Sequence, residues 1–213
     1  MARRLLPGRK ADGEKTFVGS IVELVVIVAV ALGLALAIQA FLVKPFRIPS
    51  ESMVPTLQVG QRVLVDRITP RFGNDYERGD IVVFTPPSGS DTNTCGVPDA
   101  PRRPCPQSTP GHAHTDFIKR VVAVGGDRLS VRHGHVYIDG RRQKEPYANT
   151  SNCVGGDECD LPRPITIPRG QLFMMGDNRG SSADSRIWGP VPKKWVIGPA
   201  FATYWPPRRI GTL

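Results

Sequence analysis

Read for its pattern of apolar and polar positions, the chain divides at about residue 43. Leu24 to Val43 is a run of 20 residues in which the only strongly polar side chain is Gln39. A helix on the surface of a soluble domain carries an apolar stripe, not an apolar circumference. Twenty residues at about 1.5 Å of rise span roughly 30 Å, the thickness of a bilayer's hydrocarbon core. The pattern predicts a transmembrane segment over 18–43. Beyond it the apolar residues come in runs of strand length. These are Val63-Leu64-Val65, Ile81 to Phe84, Phe117 to Val124, Leu129 to Ile138, Ile165 to Ile167, Gln171 to Met175 and Val196 to Tyr204. The last is too short to cross a membrane, and Pro206 and Pro207 follow it.

Turn residues separate these runs. Gly134 divides Leu129–Ile138 into a hairpin, and Asp139-Gly140 marks the next tight turn. The 21 prolines and 22 glycines agree with a turn-rich body. The expected fold class is mainly β: an antiparallel β-rich domain over 44–213, without a helical layer, preceded by one N-terminal transmembrane helix. Two stretches interrupt the strand rhythm, at about 86–115 and 145–168, and read as surface insertions. Each holds a pair of cysteines, Cys95 with Cys105 and Cys153 with Cys159. The close spacing suits two local disulfides, although four cysteines allow three connectivities.

Charge sets the expected orientation. The tail over 1–17 carries Arg3, Arg4, Arg9, Lys10 and Lys15 against Asp12 and Glu14, whereas only Lys44 and Arg47 closely follow the apolar run. The positive-inside rule then places the tail in the cytoplasm and residues from Lys44 onward outside, at a plasma membrane crossed once. Four cysteines beyond the anchor suit an oxidising exterior. Ala35-Leu36-Ala37 resembles a leader cleavage site, but the apolar run continues past it to Val43, which favours a retained anchor. The formal charge of +9 is scattered, with no aromatic ladder or basic helix, so a lipid bilayer is the expected partner and nucleic acid is not. His112 and His114 could join cysteines around zinc, but no Cys-x2-Cys knuckle is present. No metal or cofactor is expected.

The chain lacks Gly-x-Ser-x-Gly, His-Glu-x-x-His, Ser-x-x-Lys and a phosphate-binding glycine loop. His112, His114, His133 and His135 fall in an insertion and at a hairpin tip, so a Ser-His-Asp triad has little support. Two features remain. Pro49-Ser50-Glu51-Ser52-Met53-Val54-Pro55 holds two hydroxyls between stiffening prolines, and Lys119 interrupts the apolar run Phe117–Val124. Alone, Lys119 reads as an edge-strand lysine that discourages aggregation. Paired with a serine it reads as a base, because burial can lower a lysine pKa by roughly 3–5 units and leave it neutral.

Four blocks in order carry a resemblance to bacterial signal peptidase I. They are Pro49–Leu57, Gly79–Phe84, Phe117–Asp127 and Gly176–Val191, the last beginning Gly176-Asp177-Asn178-Arg179-Gly180-Ser181-Ser182-Ala183-Asp184-Ser185-Arg186. The resemblance implies a β-rich catalytic body with a smaller variable subdomain, and a membrane-bound serine endopeptidase that cuts exported preproteins after small-x-small sites such as Ala-x-Ala. It implies Ser52 as nucleophile and Lys119 as general base. Ser50 would donate to the oxyanion beside the Ser52 N–H, and Ser182 would orient Lys119. Arg120, Asp177, Asp184 and Arg186 would brace the site, and Met53 would line the substrate pocket. Secreted preproteins are the implied partners, with the protein translocation machinery as a further candidate. Where many relatives carry another residue after Asp-Asn-Arg, this chain has Gly180. A catalytically inert signal-peptide receptor is the alternative; it would need a broken dyad, and both Ser52 and Lys119 are present. A self-cleaving repressor would need a DNA-binding domain in place of the anchor.

Overall fold

The computed structural model describes residues 17–68, 75–97, 105–153 and 159–213. The chain forms two units, 1–40 and 41–213. In the first, α1 (Phe17–Phe41) is a continuous helix whose apolar side chains from Ile21 to Ile38 are exposed. A helix satisfies its own backbone hydrogen bonds, which is what a hydrocarbon environment demands. Gly19–Ile38 is long and apolar enough to cross a membrane. The helix stops at Phe41, and Val43 already opens a strand. Pro45 supplies a reason, since its ring disfavours helical backbone just before it and removes a helical donor.

The second unit is antiparallel β. Among the described residues its strands are β1 (Val43–Arg47), β2 (Arg62–Asp66), β3 (Ile81–Phe84), β4 (Phe117–Val124), β5 (Arg128–Arg132), β6 (His135–Ile138), β7 (Arg141–Arg142), β8 (Leu161–Thr166), β9 (Gln171–Met175), β10 (Val191–Pro192), β11 (Val196–Trp205) and β12 (Gly211–Thr212). The larger sheet has the order β1-β2-β11-β3-β4-β9-β10, with β12 also on β11. The smaller runs β7-β6-β5-β8. One four-residue helix, α2 (Ser185–Trp188), sits between β9 and β10.

Strand β3 shows why Ile81-Val82-Val83-Phe84 is apolar throughout. All four residues are buried, and alternate side chains enter different cores. Ile81 and Val83 pack with Ile48, Met53, Leu57 and Ile118; Val82 and Phe84 pack with Val121, Met174 and Trp188. A third core under the smaller sheet gathers Leu129, Val131, Val136, Ile138 and Phe173. The hairpin turns at His133-Gly134 and Asp139-Gly140 hold both residues at positive φ (49° and 75°, 51° and 79°), the geometry that matches strand twist and favours glycine. Strand β8 begins at Leu161, earlier than the apolar run Ile165–Ile167 suggests, because Pro162 and Pro164 are tolerated on a sheet edge.

Candidate active site

The Ser52 segment follows β1 as a short 3-10 turn, Glu51–Met53. Ile48 N–H donates to Gln61 O at 2.8 Å and Gly60 N–H donates to Ile48 O at 2.8 Å, which ties the segment to the start of β2. Met53 and Leu57 are fully buried beneath the turn. Met53 therefore backs the turn from inside the core, packed with Ile48 and Ile118, and is not among the residues lining the groove described below.

Lys119 lies on β4, which is paired on one side with β3 and on the other with β9. It is an interior-strand residue, so the edge-strand reading does not apply. Its ammonium group is 2.5 Å from Ser52 Oγ, across 67 positions of sequence. Both residues are buried, Lys119 with 5% of its surface exposed and Ser52 with 6%. Burial pushes the Lys119 pKa down from 10.5 to about 8; Asp184 and Asp177 pull it up, and Arg186 pushes it further down. Roughly a tenth of the molecules then carry a neutral amine at pH 7. A neutral amine at hydrogen-bond distance from a hydroxyl can take its proton.

Ser50 Oγ stands 3.4 Å from Ser52 Oγ and is exposed. Ser182 follows a 3-10 turn at Arg179–Ser181, and its hydroxyl is buried with no hydrogen-bond partner among the described residues. The structure thus brings Ser52, Lys119 and Ser50 together directly, and it forms no hydrogen bond between Ser182 and Lys119.

Buried ion pairs hold the surrounding segments. Arg120 Nε and Nη2 donate to the two Asp177 oxygens at 2.8 and 2.7 Å, while Nη1 donates to Gly79 O at 2.7 Å. Thr56 Oγ1 donates to the same Asp177 carboxylate at 2.5 Å, joining the Ser52 segment to β4 through a fully buried acid. Asp184 and Arg186 form a second pair, with Nε and Nη2 each 2.8 Å from a carboxylate oxygen. Burial alone would raise the Asp184 pKa, but the Arg186 guanidinium and the Gly176 N–H outweigh it and hold the group below its usual value. Asp184 caps α2 by accepting from Arg186 N–H, and Arg186 also reaches Arg179 O at 2.7 Å. Two further residues escaped the sequence reading. Asn178 N–H donates to Ser52 O at 3.0 Å, and its Nδ2 donates to Glu51 O at 3.2 Å. Glu145 pairs with Arg179 at 2.6 Å, both side chains buried. The first lies inside a recognisable block; the second is 34 positions from its partner and has no local signature.

A groove of about 660 Å³ opens beside the Ser52–Lys119 contact; its apolar wall is Phe46, Ile48, Pro49, Val83, Phe117, Ile118 and Ala183, and Arg47, Ser50, Ser52, Thr115, Asp116, Lys119 and Ser181 also line it. A second cavity, of about 830 Å³, shares Arg47 with the groove and is otherwise lined by residues such as Gln58, Gln61, Trp205, Arg208 and Arg209, with neither serine nor lysine in its wall. The cysteines pair as Cys95–Cys105 and Cys153–Cys159, with Cα atoms 5.6 and 5.5 Å apart.

The family profile described as signal peptidase, peptidase S26, matches residues 21–205. Probable signal peptidase I-1 of Synechocystis is 36% identical over 191 residues, covering 90% of this chain and 86% of that one. Probable signal peptidase I-2 of the same organism is 34% identical over 183 residues, covering 86% and 72%. Signal peptidase I of Mycobacterium tuberculosis is 33% identical over 224 residues, covering 90% and 74%. With most of its length inside the profile and relatives above 30% identity along nearly the whole body, the chain belongs to the signal peptidase family, peptidase S26.

Proposed function

We propose that this serine endopeptidase removes signal peptides with a Ser52–Lys119 dyad. The 2.5 Å contact between the two groups, inside a site that lowers the lysine pKa to about 8, carries the reading. Neutral Lys119 takes the Ser52 Oγ proton as Oγ attacks the scissile carbonyl, and the resulting ammonium protonates the leaving amine. An acyl-enzyme remains on Ser52. Lys119 then deprotonates a water that attacks the ester, and returns that proton to Ser52. Ser50 Oγ, beside the nucleophile, and the Ser52 N–H supply donors to the oxyanion. The buried hydroxyl of Ser182 is free to hydrogen-bond the lysine as its proton moves. Arg120, Asp177, Asp184 and Arg186 fix the frame.

The mostly apolar surface of the groove beside Ser52 suits apolar side chains on the acyl side of the cut, which is compatible with cleavage after Ala-x-Ala. The apolar segment over residues 18–43, helical as far as Phe41, anchors the peptidase domain, 44–213, with the basic tail cytoplasmic and the active site outside, where preproteins emerge from the translocation machinery. Purified full-length protein in lipid should cleave a preprotein bearing an Ala-x-Ala site, and Ser52→Ala and Lys119→Ala should each abolish cleavage while remaining folded. Retained turnover in either variant removes the dyad.

A further inference from the structure

The segment Glu145–Cys153 touches the Asp177–Gly180 loop or its direct partners at four places. Glu145 accepts from Arg179 Nη2 at 2.6 Å and Nη1 at 3.2 Å. The Tyr147 ring lies 3.8 Å from the Arg120 guanidinium that grips Asp177. Asn149 N–H donates to Asp177 O at 2.7 Å, and its carbonyl accepts from Arg179 N–H at 2.9 Å, so Asn149 and Asn178 form a parallel bridge. Asn152 lies against Gly180, where an added Cβ would stand 2.6 Å from Asn152 Cβ and 2.8 Å from its carbonyl oxygen. The end of the segment is fixed by the Cys153–Cys159 disulfide.

We infer that Glu145–Cys153 is a brace that positions the nucleophile, with Glu145 as its main positioning residue and Gly180 as the opening that admits it; the inference rests on the Ser52–Lys119 reading above. The path is short. Asn178, held in the parallel bridge, donates from its backbone to Ser52 O and from its side chain to Glu51 O, so displacement of the brace moves the turn that carries Ser52. Glu145 adds a second anchor, since it also accepts from Val136 N–H at 3.0 Å and so joins the smaller sheet to the loop. Arg179, once paired, holds Gly176 O at 3.1 Å and Gly134 O. Glycine at 180 is what this arrangement needs, because any side chain there would collide with Asn152.

Two variants approach the brace from opposite sides. Glu145→Gln keeps the shape and the acceptor for Val136 N–H but removes the charge that orients Arg179. Gly180→Ala leaves Glu145 intact and pushes Asn152 away. In the full-length enzyme each should lower kcat between about tenfold and about a hundredfold, as expected for small misplacement of a reacting group, with KM changed less than about twofold. Replacing both Cys95 and Cys105 by Ser, which removes the other disulfide, should leave kcat within about twofold. If either brace variant, folded by near-UV circular dichroism, keeps wild-type kcat, or if the loss falls in KM, the brace is wrong. Ser52→Ala run alongside separates the two readings: its retained activity would overturn the dyad, whereas its inactivity with normal Glu145→Gln kcat overturns the brace alone.

Discussion

Lys119 Nζ meets Ser52 Oγ at 2.5 Å on a strand whose backbone is bonded on both sides, so the amine has a fixed root and almost no solvent. With Lys119 as the proposed base, its pKa of about 8 would set the pH dependence of cleavage. Only neutral Lys119 can accept the serine proton. The fraction in that form grows about tenfold per pH unit until the pKa is reached. The pH profile of kcat/KM on a signal-peptide substrate should therefore rise from pH 6 and level near pH 8. Lys119→Arg should be inactive across that range, because a guanidinium stays protonated. A rise centred near pH 6.5 would instead point to a histidine base.

The same burial makes Lys119 costly to the fold. In the unfolded chain the group titrates near 10.5, and in the folded protein near 8. Between those values the unfolded state binds more protons, so stability rises with pH across that window; below pH 8 both states are protonated and the cost is present in full. The displacement corresponds to about 3 kcal/mol. Removing the amine also removes its hydrogen bond to Ser52, worth about 1 kcal/mol. At pH 7, Lys119→Met should gain about 2 kcal/mol, and its Tm should rise by roughly 4–8 °C with activity lost. A drop in Tm by scanning calorimetry would contradict this account of the site.

Much of the body is legible because its interior strands are written as apolar runs. Ile81–Phe84 and Phe117–Val124 coincide with β3 and β4, and the cysteine spacing matches the disulfides formed. What escaped is at the edges. Strand β1 contains Pro45 between Lys44 and Phe46, and β8 contains Pro162 and Pro164; both are edge strands, where a missing N–H costs little and charge is welcome, so β1 does not read as a strand and β8 reads as one only from Ile165. The Ser52–Lys119 pairing was legible through the resemblance of their two blocks to a known family, since Lys119 alone reads as an edge-strand lysine; the structure adds that the two side chains meet. The Glu145–Arg179 and Thr56–Asp177 contacts were not legible, since a charged or hydroxyl side chain looks the same in sequence whether it faces water or a buried partner.

Gly176 offers a test of how tightly the loop is seated. A Cβ there would collide with Ser182 Oγ and with the backbone oxygen of Ser52, well inside the 3.0 Å that real Cβ atoms keep. The serine hydroxyl could turn aside, but the Ser52 carbonyl cannot move without carrying its own residue with it. Gly176→Ala should therefore lower kcat by about a hundredfold or more, measured on the same preprotein. Near-normal turnover would mean that the Ser52 turn tolerates displacement.

The Arg120–Asp177 pair combines a fork of two hydrogen bonds with nearly complete burial, the side chains being 10% and 0% exposed. Removing one partner strands a charge without water to replace it, so Asp177→Asn and Arg120→Gln should each destabilise by about 3–5 kcal/mol. For a chain of this size that is a fall in Tm of roughly 6–20 °C. Thr56 loses its charged acceptor in Asp177→Asn, so that variant should also lower kcat by loosening the segment after Ser52. The double variant should be less destabilised than the two single losses added together, because no unpaired charge remains. A double-mutant cycle by chemical denaturation measures this coupling, and strict additivity would show that the two groups do not depend on each other.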